Sequence, residues 1–304
     1  MSLILDGRYR LVKAAGSGGT ANVFLAEETK SGTKVAVKVL KKSMAEQQDM
    51  LGRFRREAAT LQKVSHPNIV KLIELTESPQ GLVLVMEWAE GQRLDEISLT
   101  PDEVKLVLVQ LASALATVHA AGVLHRDLKP ENVMVERVPG EGVRARLLDF
   151  GIARFGGEPP PGGFVSMLGQ VAGTPSILAP EQIRGETPDT RSDVYAFGIL
   201  GWRMVTGAVP FAGKSDFATL QMHLQDKLPK FKPLDPSLAA FEPVLRRCLE
   251  KKPDDRFHEG MELLNALGMA TAPAVATSAT PLPTSPSSAA VEAPAKKKKW
   301  WPFG

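Results

Sequence analysis

Alternation dominates the first third of the chain. In residues 33–40, TKVAVKVL, Val35, Val37 and Val39 fall on one side of an extended chain and Ala36, Lys38 and Leu40 on the other, the two-residue period of a β-strand. RYRLVKAA (8–15), ANVFLAEE (21–28), HPNIVKLIEL (66–75) and GLVLVMEWA (81–89) read the same way. A glycine-rich turn and TKSGT join the first three, both hairpin signals. Between them, residues 44–64 switch to helical spacing, with Met50, Phe54, Ala58 and Leu61 on one face. After about residue 95 the helical period takes over, predicting helices over 104–121, 193–205, 215–226 and 238–250. One strand hairpin interrupts them, NVMVERV and RARLLDF with PGEG between. The expected fold is α+β and bilobal: a small antiparallel β-rich lobe with one helix, then a larger α-helical lobe. Ligand sites favour the cleft between such lobes.

Composition narrows the setting. The only cysteine is Cys248, which excludes an intramolecular disulfide and fits a reducing, cytoplasmic compartment. The opening MSLILDGRYR lacks the basic segment and long apolar run of a signal peptide. The apolar stretch 104–124 is interrupted by Lys105, Gln110, Ser113 and His119, so it reads as a core helix and not a membrane span. Residues 271–295 are mostly Ala, Pro, Ser and Thr, too poor in large apolar groups to offset their ordering entropy, and read as a linker. Glu292 and Lys296–Lys299 account for the whole net charge of +3. The body is therefore near neutral and offers no charge support for a nucleic-acid face.

The stretch LHRDLKPENVMV, residues 124–135, sets His125, Arg126, Asp127, Lys129 and Asn132 between apolar flanks. Charges in such a place need partners, either one another or a ligand. Upstream, Gly16, Ser17, Gly18 and Gly19 stand at a strand end, where a glycine backbone can turn its N–H groups toward phosphate. A strand follows them, whereas a dinucleotide fold needs a helix there. Lys38 faces apolar surface and needs an anion. Glu57, three residues after Phe54, is the candidate on the following helix. Asn132 and Asp149 are centred on the PGEG turn and are expected to be cross-strand neighbours. With Asp127 they would form a hard oxygen site suited to Mg²⁺ and phosphate; an Asx turn would explain one of the three.

The ordered motifs GSGGTANV, VAVK, RREAATL around Glu57, HRDLKPEN, DFG at Asp149–Gly151, APE at Ala179–Glu181 and SDVYAFG resemble those of the eukaryotic-like serine/threonine protein kinases of the bacterial type. The resemblance implies a protein kinase domain over residues 8–267, with an N-lobe over about 8–87 and a C-lobe over about 90–267. Residues 1–7 would be an extension, 268–295 a linker and 296–304 a basic-aromatic tail. It further implies transfer of the γ-phosphoryl group of ATP to protein Ser/Thr hydroxyls, with autophosphorylation in signalling. Asp127 would orient the substrate hydroxyl, Lys129 would stabilise the phosphoryl group in transit, and Lys38 would hold phosphates and pair with Glu57. Asn132 and Asp149 would hold Mg²⁺, with Mn²⁺ as the alternative. Val23, Ala36 and Met134 would enclose adenine, Met86 would guard the back pocket, and Glu87 to Ala89 would form the hinge. Leu61, Leu72, His125 and Phe150 would stack between the lobes, Glu181 would pair with Arg256, and Asp193, a helix N-cap with Ser192, would also anchor the loop around Asp127.

Some positions depart from the family pattern. Ala21 stands at the third glycine, Ile177 replaces an aromatic residue, and Arg93 occupies the region where basic-directed relatives carry a carboxylate. Ser166 is the expected regulatory phosphorylation site, and Thr174 an expected contact of Asp127 and Lys129. Expected partners are ATP and protein substrates. Lys296, Lys297, Lys298, Lys299, Trp300 and Trp301 suit an anionic membrane surface, or equally a solvated end or a short docking peptide.

Overall fold

The computed structural model describes residues 4–5, 7–17, 21–40, 55, 58–78, 81–150 and 175–268. The alternating segments form one antiparallel sheet of six strands in the order β1-β2-β3-β4-β6-β5. These are β1 (Ile4–Leu5), β2 (Tyr9–Ser17), β3 (Ala21–Glu28), β4 (Lys34–Leu40), β5 (Leu72–Ser78) and β6 (Gly81–Glu87). The two-residue period sorts the faces of β4. Val35 and Val37 are buried with Tyr9, Ala26, Val83 and Val85, whereas Leu40 joins the main core with Ala58 and Leu61 of the helical segment 58–61. Lys38 lies on that second, inward face. The strand expected over 66–75 begins only at Leu72. Its first residues form a loop tied to the second lobe, with Leu147 N–H donating to the Asn68 carbonyl (2.8 Å) and Val70 N–H to the Leu147 carbonyl (2.9 Å).

A second sheet, β7 (Gln92–Arg93), β8 (Val133–Val138) and β9 (Gly142–Leu147), sits on the helical lobe. Its hairpin corrects the expected register. Pro139 and Gly140, the latter at φ +80°, make a turn closed by Glu141 N–H on the Val138 carbonyl (3.0 Å), the Pro-Gly preference of a type II turn. Gly142 thereby rejoins the ladder opposite Val138. Three residues, not four, form the loop, and Asn132 stands opposite Leu148, whose N–H it accepts at 2.9 Å. Asp149 lies one residue beyond.

The helices of the larger lobe are α1 (Pro101–Ala120), α2 (Pro180–Arg184), α3 (Thr190–Thr206), α4 (Asp216–Gln225), α5 (Glu242–Cys248) and α6 (Gly260–Ala266). Thr100 and Glu103 form a capping box that starts α1. Long and apolar enough to cross a membrane, α1 instead buries Val107, Leu108, Leu111, Ala112 and Leu115 completely in the core. The α3 helix starts earlier than its apolar pattern suggests. Asp189 caps it, accepting from Arg191 N–H, so Asp193 lies inside the first turns and the N-cap expected there is corrected. The segment expected as one helix over 238–250 divides into a 3₁₀ turn (Pro236–Phe241) and α5.

Candidate active site

The loop between α1 and β8 carries the charged stretch, and Asp193 fixes its shape from below. Its Oδ2 accepts from His125 N–H (2.7 Å) and its Oδ1 from Arg126 N–H (2.7 Å). Two amides aimed at one carboxylate hold Arg126 at φ +63°, a conformation that costs a non-glycine residue energy and survives only when its surroundings impose it. Burial alone would raise the Asp193 carboxyl. The hydrogen bonds from the His119 ring and the Arg126 amide outweigh it and leave the group below its ordinary value. His119 completes the node. Its Nδ1 accepts from Gly260 N–H (2.9 Å), so its neutral ring carries the proton on Nε2 and donates to Asp193 Oδ2 at 3.1 Å. The sequence shows His119 only as an interruption in an apolar stretch. A ring buried at a helix end needs partners on both nitrogens, and that is the signal by which it could have been found.

Above this anchor stand the candidate reactive groups. Asp127, 6% exposed, receives the Asn132 side-chain amide on its carboxylate and on its carbonyl, both at 2.8 Å. Lys129 Nζ lies 3.2 Å from the same carboxylate oxygen. Across the cleft, Lys38 is buried on β4 and its Nζ is 2.9 Å from Asp149 Oδ1. The need of Lys38 for an anion is thus met by Asp149; Glu57 lies outside the described residues. The Asn132 carbonyl accepts from Leu148 N–H beside Asp149 (2.9 Å), and Asp127 and Asp149 both act on His125, so two ammonium groups, two carboxylates and an amide gather where the lobes meet.

Behind them, Leu61, Leu72, Met86 and Phe150 line one cavity with Lys38 and Asp149. His125 stacks on Phe150 with ring centroids 4.8 Å apart. Burial pushes the His125 imidazole down, against the charges of Asp193, Asp127 and Asp149, so the ring is a neutral packing group. Glu181 and Arg256 form a buried two-pronged ion pair, 2.8 Å on each prong.

The nucleotide-side residues are also in place. Lys38 is the cross-strand partner of Val23, and Ala36 that of Met86. Val23, Ala36, Met86 and Met134 stay half-buried while Val37, Val85, Val133 and Val135 beside them are fully buried, which leaves apolar surface for a flat ring. Glu87 ends β6 and Ala89 is buried in the linker to β7. Gly16 and Ser17 pair with Val23 and Asn22 at the hairpin end, whereas Gly18 and Gly19 lie outside the described residues, as do Gly151, Ser166, Thr174 and the tail from 269. Arg93 is already held by Asp95 and Glu96. Among the described residues no three His, Cys, Asp or Glu side chains gather as a metal cage. A cation here would take oxygens from one or two side chains and complete its shell with phosphate and water, which is how Mg²⁺ is usually bound.

A family model described as "Protein kinase domain" matches residues 9–266. The chain belongs to the protein kinase family. Among curated proteins the domain is 41% identical over 276 residues to the serine/threonine-protein kinase pkn2 of Myxococcus xanthus, covering 88% of this chain and 33% of that protein. It is 33% identical to the serine/threonine-protein kinase PrkC of Bacillus subtilis over 85% of this chain and 40% of that protein. These relatives place the kinase domain in the eukaryotic-like, bacterial serine/threonine type. The chain spans a third to about half of the length of the first curated relatives it matches. In fold it is similar to the crystal structure of the Mycobacterium tuberculosis PknI kinase domain, with a TM-score of 0.65, 28% identity and coverage of 88% and 97% of the two chains. Rad53 residues 1–466, solved with AMP-PNP, share the fold at a TM-score of 0.68 and 24% identity, over 85% of this chain and 64% of that one.

Proposed function

We propose that the chain is an active protein kinase that transfers the γ-phosphoryl group of ATP to Ser/Thr hydroxyls of protein substrates, with Mg²⁺ as the working cation. The observation that carries the reading is the pairing of Asp127 with Asn132 and Lys129 opposite Lys38–Asp149 in one cleft. Bound ATP with its cation supplies the phosphoryl group and its electrophilic phosphorus. Asp127 accepts a hydrogen bond from the substrate hydroxyl and aims its oxygen. Lys129 would neutralise charge growing on the side of transfer, and Lys38 would hold the phosphates from the opposite wall, with Glu57 as its expected partner. Asn132 and Asp149 would supply oxygen ligands to the cation. The N–H groups of the loop containing Gly16, Ser17, Gly18 and Gly19 would cover the phosphates. Val23, Ala36 and Met134 enclose the adenine against the hinge, Glu87 to Ala89, with Met86 at its back. Catalysis in this arrangement is positioning and electrostatics, without a covalent enzyme intermediate.

The test is phosphate transfer from labelled ATP·Mg²⁺ to the chain itself and to a generic basic protein, with Asp127→Asn as control. Label lost in the variant supports the reading. ATP binding without label in the wild type would reduce the chain to a nucleotide-binding scaffold. Phosphosite mapping of the labelled chain addresses Ser166, and flotation with anionic vesicles, with and without residues 296–304, addresses a cytoplasmic enzyme held at a membrane surface.

A further inference from the structure

The linker between the lobes carries two acids, Glu87 and Glu90, and each is gripped by a base from the lobe to which it does not belong. Glu87 is the last residue of β6 and is paired in the sheet with Val35, so it moves with the N-lobe. Its Oε1 lies 3.2 Å from Nη1 of Arg146, which stands on β9 of the C-lobe opposite Met134. Glu90 precedes Gly91, which has φ +112° and lies so close to β8 that an added Cβ would be 2.3 Å from the Val135 carbonyl oxygen. That end of the linker is therefore fixed to the C-lobe. Yet Glu90 Oε1 meets Nζ of Lys34, at the start of β4 in the N-lobe, at 3.0 Å. The pivot is left to Trp88 and Ala89, and both ion pairs cross it in opposite senses.

We propose that Glu87–Arg146 and Lys34–Glu90 form a crossed brace over the linker that holds the lobes at their closed spacing and sets the rate of nucleotide release. Lys34, Glu90 and Arg146 act through the linker as positioning residues, and Glu87, itself part of the hinge, adds its side chain to the brace. A contact can shift a conformational equilibrium only if it differs between the two states. These pairs qualify because their partners sit on opposite sides of the pivot, so rotation about 88–89 changes both distances. The pairs are not equal. Arg146 is 19% exposed and its Nε is buried without a hydrogen-bond partner among the described residues, so its guanidinium is held in place by Glu87 and by packing. Lys34 and Glu90 are both more than half exposed, where an ion pair is weak and salt-sensitive. The first pair is the main strut and the second a minor one.

This inference rests on the reading of the cleft as a nucleotide site, and the experiment separates the two. Release of N-methylanthraniloyl-ADP with Mg²⁺ from the full chain is followed by stopped-flow displacement with excess ADP. Arg146→Ala is expected to raise the dissociation rate by about two- to fivefold, and Lys34→Ala by less, the range an ion pair of this exposure supports. Added salt should speed release from the wild type more than from the double variant. The exchanged pair Glu87→Arg with Arg146→Glu should release nucleotide more slowly than either of its single variants, and Arg146→Lys should approach the wild type. A role in folding alone would shift the unfolding midpoint and leave these rates together. Equal rates across the set, or an exchanged pair no better than its single variants, would overturn the brace while leaving the nucleotide site intact. If the fluorescent nucleotide fails to bind the wild type, the function proposed above falls first and this inference with it.

Discussion

Two clusters of charge, one beneath the loop at residues 125–129 and one in the cleft above it, are built on opposite rules. Around Asp193 and Glu181 every carboxylate oxygen is taken from within the protein: His125 N–H, Arg126 N–H and His119 on the first, Arg256 and Ser192 on the second. In the cleft, Lys38 meets Asp149, and Asp127 meets Lys129 and Asn132, while Asp149 is about a third exposed on its side chain. The closed cluster is an anchor, because each of its carboxylate oxygens is already held by a buried donor of the protein. The open cluster still has capacity for a ligand. Adjacent positions in one motif thus do different work, and the difference lies in how completely each group is satisfied.

Removing a carboxylate from each cluster should break the comparison most sharply. Asp127→Ala is expected to lower phosphoryl transfer by about 10²–10⁴-fold, the range for losing a positioned acid–base group, with a denaturant midpoint close to the wild type. Asp193→Ala should instead cost about 3–5 kcal/mol in urea unfolding, because two amides and His119 lose a buried anion together. Equal loss of stability in both variants would show that the cleft charges are structural.

The Glu181–Arg256 pair sharpens the same point at a slightly smaller scale. Arg256→Met alone leaves Glu181 buried without its cation and should cost about 3–4 kcal/mol, while Glu181→Leu with Arg256→Met should recover most of it. Burial opposes ionisation of Glu181, but Arg256 and Ser192 outweigh it and hold its carboxyl below the usual range. Its stabilising contribution is therefore present above the unfolded carboxylate value, about 4, and is lost as pH falls through the lower folded value. An acid titration followed by the fluorescence of buried Trp202 should show wild-type unfolding shifted to higher pH in Arg256→Met, and not in the double variant.

How much of this was legible depended on what decided each feature. Period-two patterning found β2, β3, β4 and β6 within a residue or two, and helical spacing found α4 within a residue and α1 except for its first turn, which the capping box of Thr100 and Glu103 adds. Lys38, Asp127, Asn132 and Asp149 could be seen as misplaced polar groups before any partner was known. The hairpin register was missed by one residue because turn geometry set it, through Pro139 and Gly140, and counting polar residues cannot see a turn type. The Asp193 node was partly visible, but His119 and Gly260 are 141 residues apart and no local pattern links them. The brace was invisible for the same reason, since its bases lie on β4 and β9, far from the linker in sequence.

Gly91 offers a smaller and local break. Alanine there would take a left-handed φ and bring its Cβ against Val135. A cost of about 2 kcal/mol is expected, together with faster nucleotide release, because the linker can no longer lie flat on β8. Gly122→Ala, also at positive φ but with open space around it, is the control: it should lose less stability and leave release unchanged.

The smallest effect is expected at Lys251, which belongs to neither cluster and tests whether burial alone can mimic them. Its Nζ donates to the carbonyls of His223 (2.7 Å) and Met222 (3.2 Å) at the end of α4 and sits over the Phe211 ring. Burial is the main reason its ammonium is pulled down to about 8 from 10.5. Between those values the unfolded chain holds more protons at this residue than the folded one, so its contribution makes stability rise with pH. Cys248 works against it above about 9, because burial raises its thiol and only the unfolded chain then ionises. The effect should therefore be read as a difference: from pH 8 to 9, wild-type stability measured in urea should gain on that of Lys251→Met. Parallel curves would mean that solvent reaches the half-buried amine well enough to keep it charged, and that the helix-end carbonyls, not burial, set its state.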